Sequence, residues 1–314
     1  MQKILWLASW YPSRIRPFEG DFIQRHARAL ALYQPVDVIF VVKDDNGDVT
    51  SSIAIEEEDN NNLHETIVYY KPLQTKIRYI DKSISSARYL SLFKKQIKQY
   101  IEKNGLPSLI HVQVPMKAGV LALWCRKKYG IPFIVTEHWC AYNFLNPKNF
   151  FTRDPLFRRF TRRIFEAALL TETVCKANAE ELRSLFPIKK TLVINNVADT
   201  RQFYYEPSKQ SKPFTFIHVS SLSYQKNITG ILTAFGKLSQ RVSNWKLIII
   251  GPHTPELQSF AKERGITKNI NWPGEVPYQT VADHVRKAHC MVMFSRYENS
   301  PCTIIEALCA GLPV

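Results

Sequence analysis

No stretch of this sequence approaches the roughly 18 consecutive apolar residues that a membrane-spanning helix needs, and the opening Met1-Gln2-Lys3-Ile4-Leu5-Trp6 turns polar too early for a secretory leader. The expectation from those two absences is a cytoplasmic protein. The six cysteines (Cys125, Cys140, Cys175, Cys290, Cys302 and Cys309) form no C-x-x-C pair and have no histidine partners at zinc spacing. They sit mostly among apolar neighbours and read as reduced, buried small side chains. The G-x-G-x-x-G fingerprint is missing, which argues against a nicotinamide-type site. No D-x-D stretch follows a strand-like run. Asp44-Asp45-Asn46-Gly47-Asp48 comes nearest and reads as a solvated acidic turn, so neither a catalytic metal nor a cofactor is expected. Internal repeats, low-complexity tracts and nucleic-acid reader motifs are also lacking, so nucleic acid is not an expected partner.

Acidic residues are scarce as well: 27 Asp and Glu stand against 42 Lys and Arg, a formal net charge of +15. Such an excess favours polyanions, whether nucleic acid, an anionic bilayer surface or phosphorylated substrates, and charge alone does not choose among them. Two basic segments stand out: Lys71 to Lys103, with nine Lys/Arg against two acids, and Lys148 to Arg163, with six against one. In the first, Leu90, Phe93, Ile97 and Ile101 recur at helical spacing while Lys94, Lys95 and Lys98 lie off that stripe. A solvated helix face and an anionic membrane contact account for that pattern equally well.

What the 314 residues do contain is 45% apolar and 12% aromatic side chains, enough for one large or two medium globular domains. Short β-branched and aromatic runs alternate with longer amphipathic segments. The runs include Lys3–Leu7, Val36–Val42 and Ile131–Val135, and this is the rhythm of βα units around a parallel sheet. It is expected to build a first domain over 1–195. An aperiodic connection follows over 196–212, and the rhythm restarts in a second domain over 213–314 with Phe214–Val219, Trp245–Gly251 and Cys290–Phe294. Because a helix has ended and a new strand is due at Gly311-Leu312-Pro313-Val314, the second domain reads as incomplete.

The most informative stretch is Ser295 to Pro313. It reads as a strand end, a loop and a short helix, with Ser300 as cap, Pro301 in the helix's first position, Gly311 as the left-handed residue after it and Pro313 preventing continuation. A helix start at the carboxyl end of a parallel strand offers unpaired N–H groups and a positive dipole end, which suits a diphosphate. Glu298 lies in the loop. Glu306 lies inside the helix among Ile304, Ile305, Leu308 and Cys309, where a carboxylate needs a partner; a sugar diol, a lysine or a backbone N–H would each serve.

This stretch resembles the E-x7-E signature of the retaining glycosyltransferases of family four, which have the GT-B fold of two facing Rossmann-like α/β domains with parallel sheets. The resemblance implies that Glu298 contacts the donor sugar and Glu306 the nucleotide ribose, with Ser300, Pro301, Cys302 and Thr303 presenting the helix start to the donor. It continues in Val193-Ile194-Asn195-Asn196-Val197-Ala198-Asp199, and in Val219 to Asn227, where Lys226 matches a diphosphate-binding lysine. Ser221 stands where the family has an arginine, a departure to be made good either by Arg296 or Lys176 as a substitute cation or by Ser221 and the helix N-terminus themselves. In the first domain, Gly20 matches a loop glycine beside the donor phosphates and acceptor, with Arg14 and Arg16 adding charge. His138, after Thr136-Glu137, matches a histidine facing the donor sugar, while Trp139 and Tyr142 suit either a sugar or the core.

The implied function is transfer of a hexose from a nucleotide sugar to a glycan or lipid-linked acceptor with retention of configuration, without metal, by domains that close over the donor. An association with the inner face of the membrane accompanies it. The alternatives are a non-catalytic nucleotide-sugar-binding relative and a nucleotide-sugar epimerase of similar fold.

Overall fold

The β-branched runs fold as strands and the amphipathic segments between them as helices in a computed structural model that describes residues 3–72, 75, 77–207 and 213–314. Met1 and Gln2, residues 73, 74 and 76 of the first basic segment, and residues 208–212 of the expected connection lie outside the described residues. The chain divides into two units, one of Met1–Tyr142 with Lys148–Asn195 and one of Asn143–Pro147 with Asn196–Val314.

The first unit runs β1 (Ile4–Ala8), α1 (Asp21–Ala31), β2 (Val36–Lys43), β3 (Ile53–Asn60), β4 (Leu63–Tyr70), α2 (Arg78–Asn104), β5 (Leu109–Gln113), α3 (Ala118–Tyr129), β6 (Phe133–Glu137), α4 (Pro155–Ala167), β7 (Thr171–Thr173), α5 (Lys176–Leu185) and β8 (Thr191–Val193). Its sheet has the order β3-β4-β2-β1-β5-β6-β7-β8. Only β3 is antiparallel to its neighbour, pairing with β4 in a hairpin that the βα rhythm does not announce. Helices cover both faces, so strand side chains are buried alternately on each. Leu5 and Leu7 join Ile39 and Val41 in one core, whereas Trp6 and Ala8 join Val38 and Phe40 in the other. The chain moves outward from β1 through β2 and β4, then returns to β5 on the opposite side. The topological switch point, where α/β sheets open a crevice at their strand ends, therefore lies between β1 and β5. Ser9 clamps that point: its N–H donates to Gln113 O at 2.9 Å, its hydroxyl donates to Val114 O at 2.7 Å, and the same oxygen accepts the Ala118 N–H at 3.0 Å.

The expected stripe on α2 is present. Phe93 and Ile97 are fully buried, Leu90 and Ile101 partly so, Lys95 and Lys98 are exposed, and Lys94 lies over the Trp124 ring at 5.5 Å. In α4, Asp154 accepts the Phe157 N–H at 2.9 Å as N-cap and Pro155 opens the helix. Ile164 and Phe165 are buried, leaving Arg158, Arg159, Arg162 and Arg163 exposed. The reading of Asp44 as part of a solvated turn is corrected. Asp44 is only 1% exposed and accepts the N–H groups of Gly47 (2.8 Å), Asp48 (3.1 Å) and Val49 (2.8 Å). Desolvation raises its carboxyl, but those donors outweigh it and hold the group below the usual carboxylate range.

The second unit runs β9 (Phe214–Val219), α6 (Ile228–Ser239), β10 (Trp245–Ile250), α7 (Pro255–Glu263), β11 (Ile270–Gly274), α8 (Tyr278–Lys287), β12 (Cys290–Met291) and α9 (Cys302–Cys309). Its all-parallel sheet has the order β11-β10-β9-β12, so its switch point lies between β9 and β12. The strand expected over Cys290–Phe294 is shorter, with one further ladder bond from Val292 N to Ile217 O at 2.8 Å before the chain turns away. Among the described residues, no helix is long and apolar enough to cross a membrane.

Candidate active site

In the second unit the loops leaving β9 and β12 meet at the switch point. Beneath them His218, fully buried, ties the strands together. Its Nδ1–H donates to Val292 O at 2.8 Å, since a carbonyl can only accept, which leaves Nε2 to accept the Ser220 hydroxyl at 2.7 Å. Ser220 Oγ accepts the Leu222 N–H at 3.1 Å and so shapes the next residues. Burial pushes His218 down to about 4; the Val292 carbonyl opposes this and the Lys226 charge adds to it, so the ring is neutral. Gly251, after β10, packs under the same turn at φ 145°. A Cβ there would come within 2.1 Å of Ser220 O, so the close approach requires glycine.

The two loops are joined by polar side chains. Lys226 Nζ donates to Glu298 Oε1 at 2.5 Å, Gln225 Nε2 donates to Glu298 Oε2 at 3.2 Å and to Tyr297 O at 3.0 Å, and the Arg296 N–H donates to Gln225 O at 2.8 Å. Lys226 and Glu298 retain 17% and 21% exposure, which leaves both reachable by a ligand. Ser221 is exposed and its hydroxyl donates to Ser223 Oγ at 3.2 Å. Arg296 is held against this loop, its guanidinium 4.4 Å over the Tyr224 ring, whereas Lys176 opens α5 in the first unit.

The reading of α9 needs one correction at its start. Ser300 does not cap it; Pro301 occupies the cap position with no side-chain bond, and Cys302 and Thr303 begin the helix. The Ser300 carbonyl is instead drawn to Asn196 Nδ2 at 2.6 Å, which pins the loop one residue earlier. The other end is as expected. Gly311 (φ 70°) closes the helix, with Gly311 N donating to Leu308 O at 3.0 Å and Leu312 N to Ala307 O at 2.9 Å, the paired bonds of a Schellman end. Glu306 is 3% exposed and accepts the hydroxyl of Tyr278, a phenol from α8, at 2.8 Å.

In the first unit, Gly20 precedes α1 at φ 74°, and a Cβ there would lie 2.8 Å from Trp10 C. Arg14 pairs with Glu56 at 3.1 Å, and Arg16 with Glu19 at 3.0 Å and Asp45 at 3.5 Å, so much of the charge expected from this loop is already balanced. His138 follows β6 and is 8% exposed. Its Nε2 lies 3.1 Å from Gln113 Oε1, and its ring packs on Phe22 at 4.9 Å and His26 at 5.8 Å. Burial, aided by the charges of His26 and His111, holds it far below the usual histidine range, so it is a neutral hydrogen-bonding group. Tyr142 belongs to the core with Phe150, Phe165 and Phe186. Trp139 is half-buried at 6.0 Å from Trp10 with Arg153 stacked at 5.2 Å. Sequence reasoning missed Gln225, Tyr278, His218 and Gly251. Only Gly251, directly after a strand of three isoleucines, carried a local signal.

Glu137 beneath His138 accepts the Trp139 N–H and the Tyr142 hydroxyl, each at 2.8 Å, yet burial pushes it up to about 7. With a folded pKa above the unfolded value, the folded chain binds the extra proton. Its stabilising effect is full below the unfolded pKa of about 4.3 and is lost as pH rises through about 7. Glu137→Gln is expected to remove that component of the slope, up to about 4 kcal/mol across the window. Urea melts of both proteins at several pH values measure it, and identical slopes would show that Glu137 is ionised when folded.

Two family models match the chain: "Glycosyltransferase Family 4" over residues 21–202 and "Glycosyl transferases group 1" over residues 201–314. Among curated relatives, the Escherichia coli (strain K12) lipopolysaccharide 1,6-galactosyltransferase is 29% identical over 127 residues, covering 38% of this chain and 34% of that protein. The chain thus spans about a third of that relative's length. The putative teichuronic acid biosynthesis glycosyltransferase TuaC of Bacillus subtilis (strain 168) is 22% identical over 99% of this chain and 80% of its own length. Among solved structures, a sucrose-phosphate synthase from Thermosynechococcus elongatus superposes with a TM-score of 0.75 at 16% identity, over 100% of this chain and 80% of that one. Two mostly parallel α/β sheets, each opening at its switch point, and a first family model spanning more than half of the sequence lead to one assignment: the chain belongs to glycosyltransferase family 4, with the GT-B type of α/β fold.

Proposed function

We propose that this chain transfers a hexose from a nucleotide-sugar donor to a surface glycan or lipid-linked acceptor, with retention of anomeric configuration. The observation that carries this reading is the Lys226–Glu298 pair, joined at 2.5 Å at the switch point of the second sheet in the loop leading to α9. The acceptor class follows the named activities of the relatives, one acting on lipopolysaccharide and one assigned to teichuronic acid synthesis.

As the bond from the anomeric carbon to the diphosphate breaks, negative charge collects on the leaving oxygen and positive charge on the ring. The protein's task is to stabilise both. Lys226, shared between Glu298 and the diphosphate, meets the first charge together with the N–H groups of Cys302 and Thr303 at the start of α9. Ser221 offers a hydroxyl where a second cation is usual, and Arg296 lies against the same loop. Glu298 receives sugar hydroxyls, and Glu306, oriented by Tyr278, receives the ribose diol. Gly20 and the neutral His138 take the roles the resemblance gives them, at the phosphates and at the donor sugar. Transfer proceeds without a metal in this reading, so a chelator leaves the rate unchanged. The basic faces of α2 and α4 are proposed to rest on an anionic bilayer, and failure to co-sediment with anionic vesicles at low salt would remove that part.

Calorimetric titration of a nucleotide-sugar panel, with Glu306→Ala as control, followed by product NMR with glycolipid and polysaccharide acceptors, tests the whole. One donor bound tightly, lost in the variant, and transferred with its anomeric configuration kept supports the reading. A donor bound without turnover identifies a binding protein, and a donor converted in place identifies an epimerase.

A further inference from the structure

A cavity of about 740 Å³ opens in the first unit at the carboxyl ends of β1, β2, β4 and β5, on the switch point of that sheet. Its volume lies in the range of small-molecule sites. Trp10, Tyr70 and Tyr89 supply aromatic wall; Arg16, Lys43, Lys82 and Lys117 line the cavity with positive charge, and Glu19, Asp45 and Asp81 with negative charge. Lys43 is paired with Asp45 at 2.7 Å. Among the described residues neither Lys82 nor Lys117 is in an ion pair. Lys117 instead has its ammonium 5.0 Å over the Tyr89 ring. Burial, followed by the charges of Lys43 and Lys82, lowers the Lys117 pKa, with Asp45 opposing. Arg16 and Lys43 are balanced by Glu19 and Asp45, so Lys82 and Lys117 stand against Asp81 alone and leave the lining with one positive charge in excess, which a ligand anion meets.

We propose that this cavity receives the acceptor and that the acceptor carries an anionic group, a phosphate or a carboxylate, gripped by Lys82 and Lys117 while its sugar ring lies against Trp10 and Tyr89. That the ligand is the acceptor rests on the transferase reading; that it is an anionic sugar does not.

Glucose 6-phosphate, glucuronate and glucose are titrated calorimetrically at low salt into the full chain and into Lys82→Met, Lys117→Met, Lys117→Arg and Lys226→Met, with UDP titrated into each in parallel. At least one anionic sugar is expected to bind ten times or more tightly than glucose, and the stronger of the two identifies phosphate or carboxylate. Lys82→Met and Lys117→Met are each expected to reduce that preference about tenfold or more, Lys117→Arg to restore most of it, and Lys226→Met to leave it intact. Three sugars binding alike, or a preference unmoved by both methionine variants, overturns the proposal. Thermal melts identify a variant that has lost its fold, and the other methionine variant then decides. UDP binding that depends on Lys226 and ignores Lys117, with no anionic preference, refutes this site alone. An anionic preference without UDP binding refutes the donor reading alone.

Discussion

Lys226→Ala is expected to reduce sugar transfer about 10²–10³-fold, the effect typical of removing one group that meets charge developing in the transition state. Because Lys226 also balances Glu298 at 2.5 Å, the two are not independent. Glu298→Gln alone is expected to lower the rate substantially, and the double variant to lose much less than the product of the two single effects. Initial rates at saturating acceptor, with donor affinity measured separately, give the cycle. Rates that multiply independently would show that the pair does not act as a unit. A Lys226→Ala enzyme within a few-fold of the parent would remove the lysine from the leaving-group role.

Gly251→Ala is expected to destabilise the second unit by about 3 kcal/mol, the range for a backbone forced out of a conformation that only glycine adopts with ease. At φ 145° a Cβ would lie 2.1 Å from Ser220 O and 2.9 Å from Leu222 Cγ. The backbone oxygen is the closer obstacle, so trimming the side chain with Leu222→Ala is expected to restore little. Since Ser220 also binds His218 and begins the loop that carries Lys226, donor affinity should fall together with stability. Urea melts and donor titrations of the single and double variants test this. Full rescue by Leu222→Ala would place the strain in the side chain rather than in the β9 turn.

Several elements are legible in the sequence. The stripe of Leu90, Phe93, Ile97 and Ile101 predicted the buried face of α2, because helical periodicity is a local property. Gly311 and Pro313 marked the end of α9 for the same reason, whereas Ser300 misled: a serine before a proline-led helix suits a cap, but a bond from Asn196, 104 positions away, holds its carbonyl elsewhere. Asp44 misled in the opposite way: the turn it opens is local, with N–H groups three to five residues on folding back to its carboxylate, so an acidic run that suggests solvation holds its first member buried. Tyr278 gave no sign of meeting Glu306 across 28 positions.

The alternation of strands and helices and the placement of Glu298 before a short helix and of Glu306 within it follow from neighbours a few residues apart, and the excess of positive charge from composition. Which charges meet is set by the folded chain. Lys226 reaches Glu298 across 72 positions, and Lys43, Lys82 and Lys117 share one cavity. The reason is physical: a parallel sheet brings together the carboxyl ends of strands that are distant in the chain, so the loops between them acquire partners that no local pattern encodes.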